Sequence, residues 1–442
     1  MSENTDTIAA IATASGKSAI GIVKVSGARS LEIASLITKQ SLEPRQARYT
    51  PFFDKNDTVI DHGVALFFKG PDSYTGEDVL ELQSHGNHVL LDQLLGVATS
   101  AGARVARPGE FTERAFLNDK MDLAQAEAVS DLIHASTAEA ASAAVRSLQG
   151  EFSAQIAVIL EQLVNCRVYI ESALDFAEEE IDFLKDTELD DRFAALDDHV
   201  THLLQRSHEG ALLRDGINMV IAGLPNVGKS SLLNRLTGQD TAIVTDIAGT
   251  TRDVLKEKIN IDGLPVHIID TAGLRQSDDP IEQEGVRRAH DQLSQADRIL
   301  FVAEAGTKPE QSLLDELPTG IPISLVLNKS DLHPEIAEDQ SGILVSASTG
   351  DGFTRLRNHI KQCAGFEKTS EGALMARRRH IDALHKAQSH IKVAHRHLLE
   401  TAAGELSAEE LRLAQEQLNL ITGEFSSDDL LGEIFSRFCI GK

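Results

Sequence analysis

The run Gly223-Leu224-Pro225-Asn226-Val227-Gly228-Lys229-Ser230 reads G-x-x-x-x-G-K-S, and no other stretch of the chain restricts the fold as strongly. Before it stands Met219-Val220-Ile221-Ala222, a short apolar run of the kind a buried parallel strand needs. After it, Ser231-Leu232-Leu233-Asn234-Arg235-Leu236 continues at helical spacing. Strand, glycine loop and helix in that order form a phosphate cradle. Gly223 and Gly228 let the backbone approach phosphate oxygens where a Cβ would intrude. The loop N–H groups, over Asn226, Val227, Gly228, Lys229, Ser230 and Ser231, and the helix N-terminus favour an anion. Lys229 is placed for the β- and γ-phosphates and the Ser230 hydroxyl for Mg²⁺. A plain glycine-rich turn before a helix would not require the Lys-Ser pair.

Three further motifs follow at strand ends. Val266-His267-Ile268-Ile269 leads into Asp270-Thr271-Ala272-Gly273, where Asp270 suits the Mg²⁺ shell and the Gly273 N–H suits a γ-phosphate. Ile323-Ser324-Leu325-Val326-Leu327 leads into Asn328-Lys329-Ser330-Asp331. A carboxylate at Asp331 accepts from the guanine ring N–H and exocyclic amine together, and adenine offers no such donor pair. Ile343-Leu344-Val345 leads into Ser346-Ala347, a further base-contacting loop. Four such motifs in this order predict a doubly wound α/β GTPase with its ligand at the carboxyl ends of the strands. Thr250-Thr251 lies where a Mg²⁺-binding switch threonine belongs, Thr251 being the candidate ligand. Ras-like proteins carry a water-orienting glutamine after Asp-Thr-Ala-Gly, but here the residue is Leu274, which cannot hydrogen-bond through its side chain. Glu282, Arg252 and Arg275 are the candidates to replace it. Asn226 offers an amide oxygen, which suits a hard cation.

The surroundings are bounded by composition. A chain of 442 residues suggests about three domains. With 42 basic against 68 acidic side chains the net charge is −26, which argues against a broad nucleic-acid-binding surface while leaving room for a local basic patch. Three cysteines, Cys166, Cys363 and Cys439, form no C-x-x-C pair, as expected of a reducing cytosol and of a chain without a zinc site. Glu3 and Asp6 near the start speak against a signal peptide, and no apolar run approaches the roughly 18 residues of a membrane span.

Residues 1–118 read as mixed α/β, with strands at 20–25, 64–68 and 79–82 and helices at 28–39 and 88–100. Asp72 to Asp78 and Arg107 to Arg114 are dense polar stretches that read as solvated turns and caps. From 119 to 214 the pattern is helical. Leu123, Ala126, Val129 and Ile133 share a face, and Phe152, Ile156, Ile159, Leu163, Cys166 and Ile170 make an apolar seam. Cys166 therefore reads as a packed core thiol. Helical spacing returns over 371–442 through Ile381, Leu384, Ile391 and Leu398. Arg377-Arg378-Arg379 reads as a solvated helix face, with contact to RNA as the alternative. The economical arrangement is one discontinuous helical domain, 119–214 plus 371–442, with the GTPase domain, 215–370, inserted into it.

Together these residues resemble the MnmE (TrmE) family of tRNA-modification GTPases, from Asp6 to Lys442. The resemblance is carried by Ser73-Tyr74-Thr75-Gly76-Glu77-Asp78, Arg107 to Glu127, Thr245 to Asp253, and Phe438-Cys439-Ile440-Gly441-Lys442. It implies an N-terminal fold similar to tetrahydrofolate-binding domains, which binds 5-formyl- or methylene-tetrahydrofolate. Lys24, Glu81, Lys120 and Lys442 fall at its folate positions, Lys24 where the family carries arginine. It implies a cytoplasmic homodimer that works with an FAD-dependent partner, MnmG (GidA), as a heterotetramer. The pair adds aminomethyl or carboxymethylaminomethyl groups to C5 of the wobble uridine of tRNA. It implies GTP hydrolysis activated by K⁺ held at Asn226, Thr245, Ile247 and Thr250, with Glu282 orienting the attacking water. Cys439 matches the family's functional cysteine, and a small buried hydrophobe near a chain end is the alternative. Two other classes stay open: a GTPase switch acting only as a scaffold, and a folate enzyme with a vestigial nucleotide domain.

Overall fold

The computed structural model describes residues 6–175, 187–239, 256–270, 296–307, 314–315, 317–334, 342–366, 372–401, 403–424, 428–436 and 438–441. Its first sheet has strands β1 (Thr7–Ile11), β2 (Ser18–Ser26), β3 (Arg48–Phe53), β4 (Val59–Phe68), β5 (Val79–Gly86) and β6 (Ala103–Val105), in the order β3-β4-β5-β2-β1-β6. All neighbours are antiparallel except β1 and β6. Alternation along β4 buries Gly63, Ala65 and Phe67 on one face. Helices α1 (Ser30–Thr38) and α2 (His88–Ser100) cover that face, and Ile33, Ile37 and Leu94 pack on Val23, Phe52, Phe67 and Leu80. The strands and helices anticipated from pattern are present. The strands β1, β3 and β6 are not legible in pattern: β6 is three residues long and β3 carries Pro51.

The polar stretch 107–114 is not a solvated turn. It enters α3 (Glu110–Leu117) through Gly109 at φ +68°, and Glu110 and Arg114 are buried. Arg114 donates to Glu77 Oε1 at 3.0 Å and to Asp6 Oδ1 at 2.7 Å, and Arg104 pairs with Glu110. Burial raises the Glu110 carboxyl, but Arg104 and the Arg107 N–H outweigh it and hold the group below the usual carboxylate range.

Helices α4 (Leu123–His134), α5 (Ala138–Leu148), α6 (Glu151–Asp175) and α7 (Thr187–Asp215) follow. The seam from Phe152 to Ile170 is buried throughout, Cys166 with it, and burial pushes the Cys166 thiol up. On α4 the buried face differs from the apolar reading. Ile133 is exposed, while Glu127 and Asp131 are buried.

The second sheet has β7 (Ile217–Ala222), β8 (Lys256–Ile261), β9 (Leu264–Asp270), β10 (Arg298–Glu304), β11 (Ile323–Asn328) and β12 (Ile343–Leu344), in the order β12-β11-β10-β7-β9-β8. It is parallel except for the edge strand β8. Parallel strands need cover on both faces, which is why β7 and β10 read as continuous apolar runs. The helices α8 (Lys229–Gln239) and α9 (Phe353–Cys363) supply part of that cover. Ala140, Ala143 and Ala144 of α5 and Met375 join the same core.

The chain then returns to the helices as α10 (Arg378–Thr401), α11 (Gly404–Thr422) and α12 (Asp428–Ser436). Leu384, Ile391 and Leu418 pack with Phe152, Ile156 and Leu196, so the segments before and after the second sheet share one core. Neither could bury its apolar stripe alone. The chain end folds back on the first sheet's domain, where Ile440 bridges Pro108 and Gly109 N–H donates to Cys439 O at 3.3 Å.

Candidate nucleotide-binding site

At the carboxyl end of β7 the chain turns through Gly223 (φ +145°), Asn226 (φ +65°) and Gly228 (φ +92°) into α8. A Cβ at Gly228 would strike Asn328 Nδ2, so the glycine is required by its neighbour as well as by its φ. That neighbour belongs to the N-K-x-D motif. Asn328 donates to Val227 O at 2.8 Å and accepts from Ala347 N–H at 3.0 Å, which ties the phosphate loop to both base-side loops. Asn328 is buried, and its amide both donates and accepts at this junction. Lys229 Nζ donates to Gly223 O and Leu224 O, each at 2.8 Å, which draws the head of the side chain across the loop. Asn226, Ser230 and Ser231 are exposed beside it and Val227 is buried.

On the base side, β11 ends at Asn328 and a 3-10 turn, Ser330–Leu332, carries Asp331. Lys329 stands at φ +62° and its Nζ lies 2.6 Å from Glu304 Oε2. The buried Ser346 donates its hydroxyl to Asp331 Oδ1 at 2.6 Å, and Ser348 donates to Oδ2 at 3.1 Å. The Ser346 bond holds the Asp331 carboxyl below the usual range, so it is an acceptor at neutral pH. Ser348 is not legible as a site residue in the sequence. A second serine two residues on has no diagnostic spacing, and only the fold puts it on Asp331.

Asp270 ends β9 in register with Ile221, next to the phosphate loop. Thr245, Ile247, Thr250, Thr251, Thr271, Ala272, Gly273 and Glu282 lie outside the described residues, as do Arg252, Leu274, Arg275 and Lys442.

The structure brings together three of the residues singled out in the N-terminal segment. Lys24 on β2 and Glu81 on β5 are register partners, with Nζ and Oε1 3.5 Å apart. The Lys24 ammonium lies 5.3 Å from the Tyr74 ring centre and 5.8 Å from that of Phe111. Lys120 approaches the same 72–78 turn, because a Cβ at Gly76 would sit 3.5 Å from Lys120 Cγ. Cys439 is exposed, which removes the reading of it as a buried hydrophobe.

The arginine cluster at the start of α10 is not a solvated helix face. Arg377 donates to Asp131 Oδ1 at 2.8 Å and Arg379 to Glu127 Oε2 at 2.7 Å, so two of the three side chains are bound to buried carboxylates. Arg378 is exposed.

A Ras-like strand order, a glycine loop at the carboxyl end of β7 and a carboxylate braced beside it define a P-loop GTPase. Family models extend this to the rest of the chain. One described as "GTP-binding protein TrmE N-terminus" matches residues 7–120, and one described as "MnmE helical domain" matches residues 123–439. A tRNA modification GTPase MnmE from Vibrio parahaemolyticus is 52% identical over 451 residues, covering 99% of this chain and 100% of the relative. That from Ectopseudomonas mendocina is 50% identical over 456 residues, covering 100% of both. The chain belongs to the MnmE family of tRNA modification GTPases and is a GTP hydrolase. No described helix is long and apolar enough to cross a membrane.

Proposed function

We propose that this protein hydrolyses GTP to GDP and phosphate in step with modification of tRNA at C5 of the wobble uridine, acting as a cytoplasmic homodimer with the FAD-dependent protein MnmG (GidA). The group added is aminomethyl or carboxymethylaminomethyl, built with a tetrahydrofolate one-carbon unit. The observation that carries the nucleotide half is the brace of Ser346 and Ser348 on Asp331, joined through Asn328 to the phosphate loop. It presents an ionised acceptor at a fixed position, as selection of guanine requires. Lys229, Ser230, Ser231 and the loop amides hold the phosphates. Asn226 and Ser230 are exposed oxygen donors of the type hard cations take, so they fit K⁺ and Mg²⁺ respectively. When bound, these ions supply positive charge near the transferring phosphoryl group. Thr245, Ile247 and Thr250 complete the K⁺ loop, Thr251 and Asp270 the Mg²⁺ side, and Glu282 orients the water.

The folate half rests on Lys24, Glu81 and Lys120 around the 72–78 turn, where a carboxylate and an aromatic face lie together. Cys439 lies on the segment that docks beside the start of α3, and Lys442 is taken from the resemblance alone.

Two measurements test the reading. Wobble nucleosides from cells depleted of the protein are analysed by mass spectrometry, and loss of the C5 group is expected. GTP hydrolysis is compared in K⁺ and Na⁺, and equal rates would remove K⁺ from the mechanism. Unchanged wobble nucleosides with intact GTPase activity would favour the scaffold class.

A further inference from the structure

We infer that Arg235 is the positioning residue of the base-recognition loop. It sits on α8, six residues beyond Lys229, or about 9 Å along the helix axis. Its Nη1 donates to Ala347 O at 3.0 Å and to Ser348 O at 2.8 Å, and its Nη2 donates to Thr349 O at 2.7 Å. Its guanidinium lies 5.8 Å from the Phe353 ring centre. Three successive carbonyls converge on one side chain because the loop curls back on itself. Gly350 N–H donates to Ser346 O at 2.8 Å and Ser346 N–H to Asp351 O at 2.9 Å. Gly350 makes the curl at φ +95°, and a Cβ there would strike Arg235 Nη2.

The carbonyls of 347–349 are therefore engaged by the guanidinium. The groups on the other side of the loop are placed on the base-side residues: Ser346 and Ser348 hydroxyls on Asp331, Ala347 N–H on Asn328. A planar fork spreads its N–H donors in fixed directions and so reaches three successive carbonyls along the loop, whereas an ammonium offers its three donors from a single point. Because α8 also begins with the phosphate-loop lysine, one rigid helix sets the distance between the phosphate end and the base end of the site. Specificity for guanine is then built partly on a residue that touches no part of the nucleotide.

The inference rests on Asp331 as the carboxylate that reads guanine, and the experiment separates the two. Calorimetry on the full-length protein measures GDP, inosine diphosphate, which lacks the 2-amino group, and xanthosine diphosphate. Arg235→Ala is expected to weaken GDP at least about tenfold, the size of losing charge-assisted hydrogen bonds that orient a site. Inosine diphosphate should weaken less, so the ratio between the two narrows, and in GTP turnover the loss falls on KM more than on kcat. Arg235→Lys should recover part of the loss. Gly350→Ala reaches the same contact from the loop side and should reproduce the narrowed ratio, which covers the case of an unstable Arg235→Ala. Equal loss for both nucleotides, or GDP affinity within twofold of the unsubstituted protein, overturns the inference. Asp331→Asn should shift preference from GDP to xanthosine diphosphate. If it does not, the base-reading assignment fails and the inference with it; if it does while Arg235→Ala has no effect, the inference alone fails.

Discussion

Arg377, on the strap that returns from the nucleotide-binding sheet, donates to Asp131 of α4 at 2.8 Å, across 246 residues of sequence. The strap is held at several points on the way. Gly372 O accepts from Arg206 Nε at 2.6 Å, Ala373 O from Arg146 Nη2 at 2.6 Å, and Met375 O from Ser147 Oγ at 3.2 Å. Burial raises the Asp131 carboxyl, and Arg377 opposes that rise.

Removing one partner of such a pair leaves a buried charge uncompensated. Arg377→Ala should destabilise the helical core by about 3–5 kcal/mol, whereas Arg377→Met with Asp131→Leu should cost far less. Urea unfolding followed by circular dichroism gives both values. Equal losses for the single and double variants would show that packing, not the unpaired carboxylate, sets the cost.

His380 gives a pH dependence. It is fully buried against Phe152, with Nε2 2.7 Å from Glu127 Oε2, and Arg377 N–H donates to its Nδ1 at 3.2 Å. Burial pushes the ring down from its ordinary 6.5 to about 4. Between those values the unfolded chain binds a proton that the folded chain does not, so stability rises with pH. The contribution is fully present above about pH 6.5 and is lost as pH falls toward 4. Burial also acts to raise Glu127, but His380 and Arg379 outweigh it and hold that carboxylate well below its usual range, so it stays ionised through this window. Thermal midpoints measured from pH 7 to 4.5 should fall, and His380→Gln should flatten the slope. An unchanged slope in that variant would assign the effect elsewhere.

Glu81→Ala should weaken binding of 5-formyl-tetrahydrofolate to the full-length protein, because a carboxylate that can accept from the pterin N–H groups is lost. Its neighbour Lys24 would keep its contact with Tyr74 and Phe111. Calorimetry tests this directly, and undiminished affinity would move the folate site away from β5.

Leu274 cannot orient water, and Glu282 is proposed to do so in its place. Glu282→Ala should lower single-turnover GTP hydrolysis in K⁺ by at least about 10²-fold with little change in GTP affinity. A near-normal rate would turn attention to Arg252 and Arg275.

The phosphate loop was legible because its parts are contiguous. Glycines with positive φ, a lysine and a serine act within eight residues, between a strand and a helix that announce themselves by period. The seam from Phe152 to Ile170 was legible for the same reason. Neither the salt bridges of Arg114 nor the brace of Ser348 on Asp331 could be read this way, because each joins residues from separate segments.

The three arginines 377–379 mark where local information stops. As sequence they are one basic cluster, with one propensity and one charge. In the fold, Arg377 and Arg379 pair with buried carboxylates of α4 while Arg378 remains exposed. The sequence by itself determined the chemistry that depends on short spacing: the phosphate loop, the guanine motif and the apolar stripes of the helices. Only the tertiary structure decided which charges are buried together, because the cost of burying an ion and the partner that offsets it depend on segments that meet in space and are far apart along the chain.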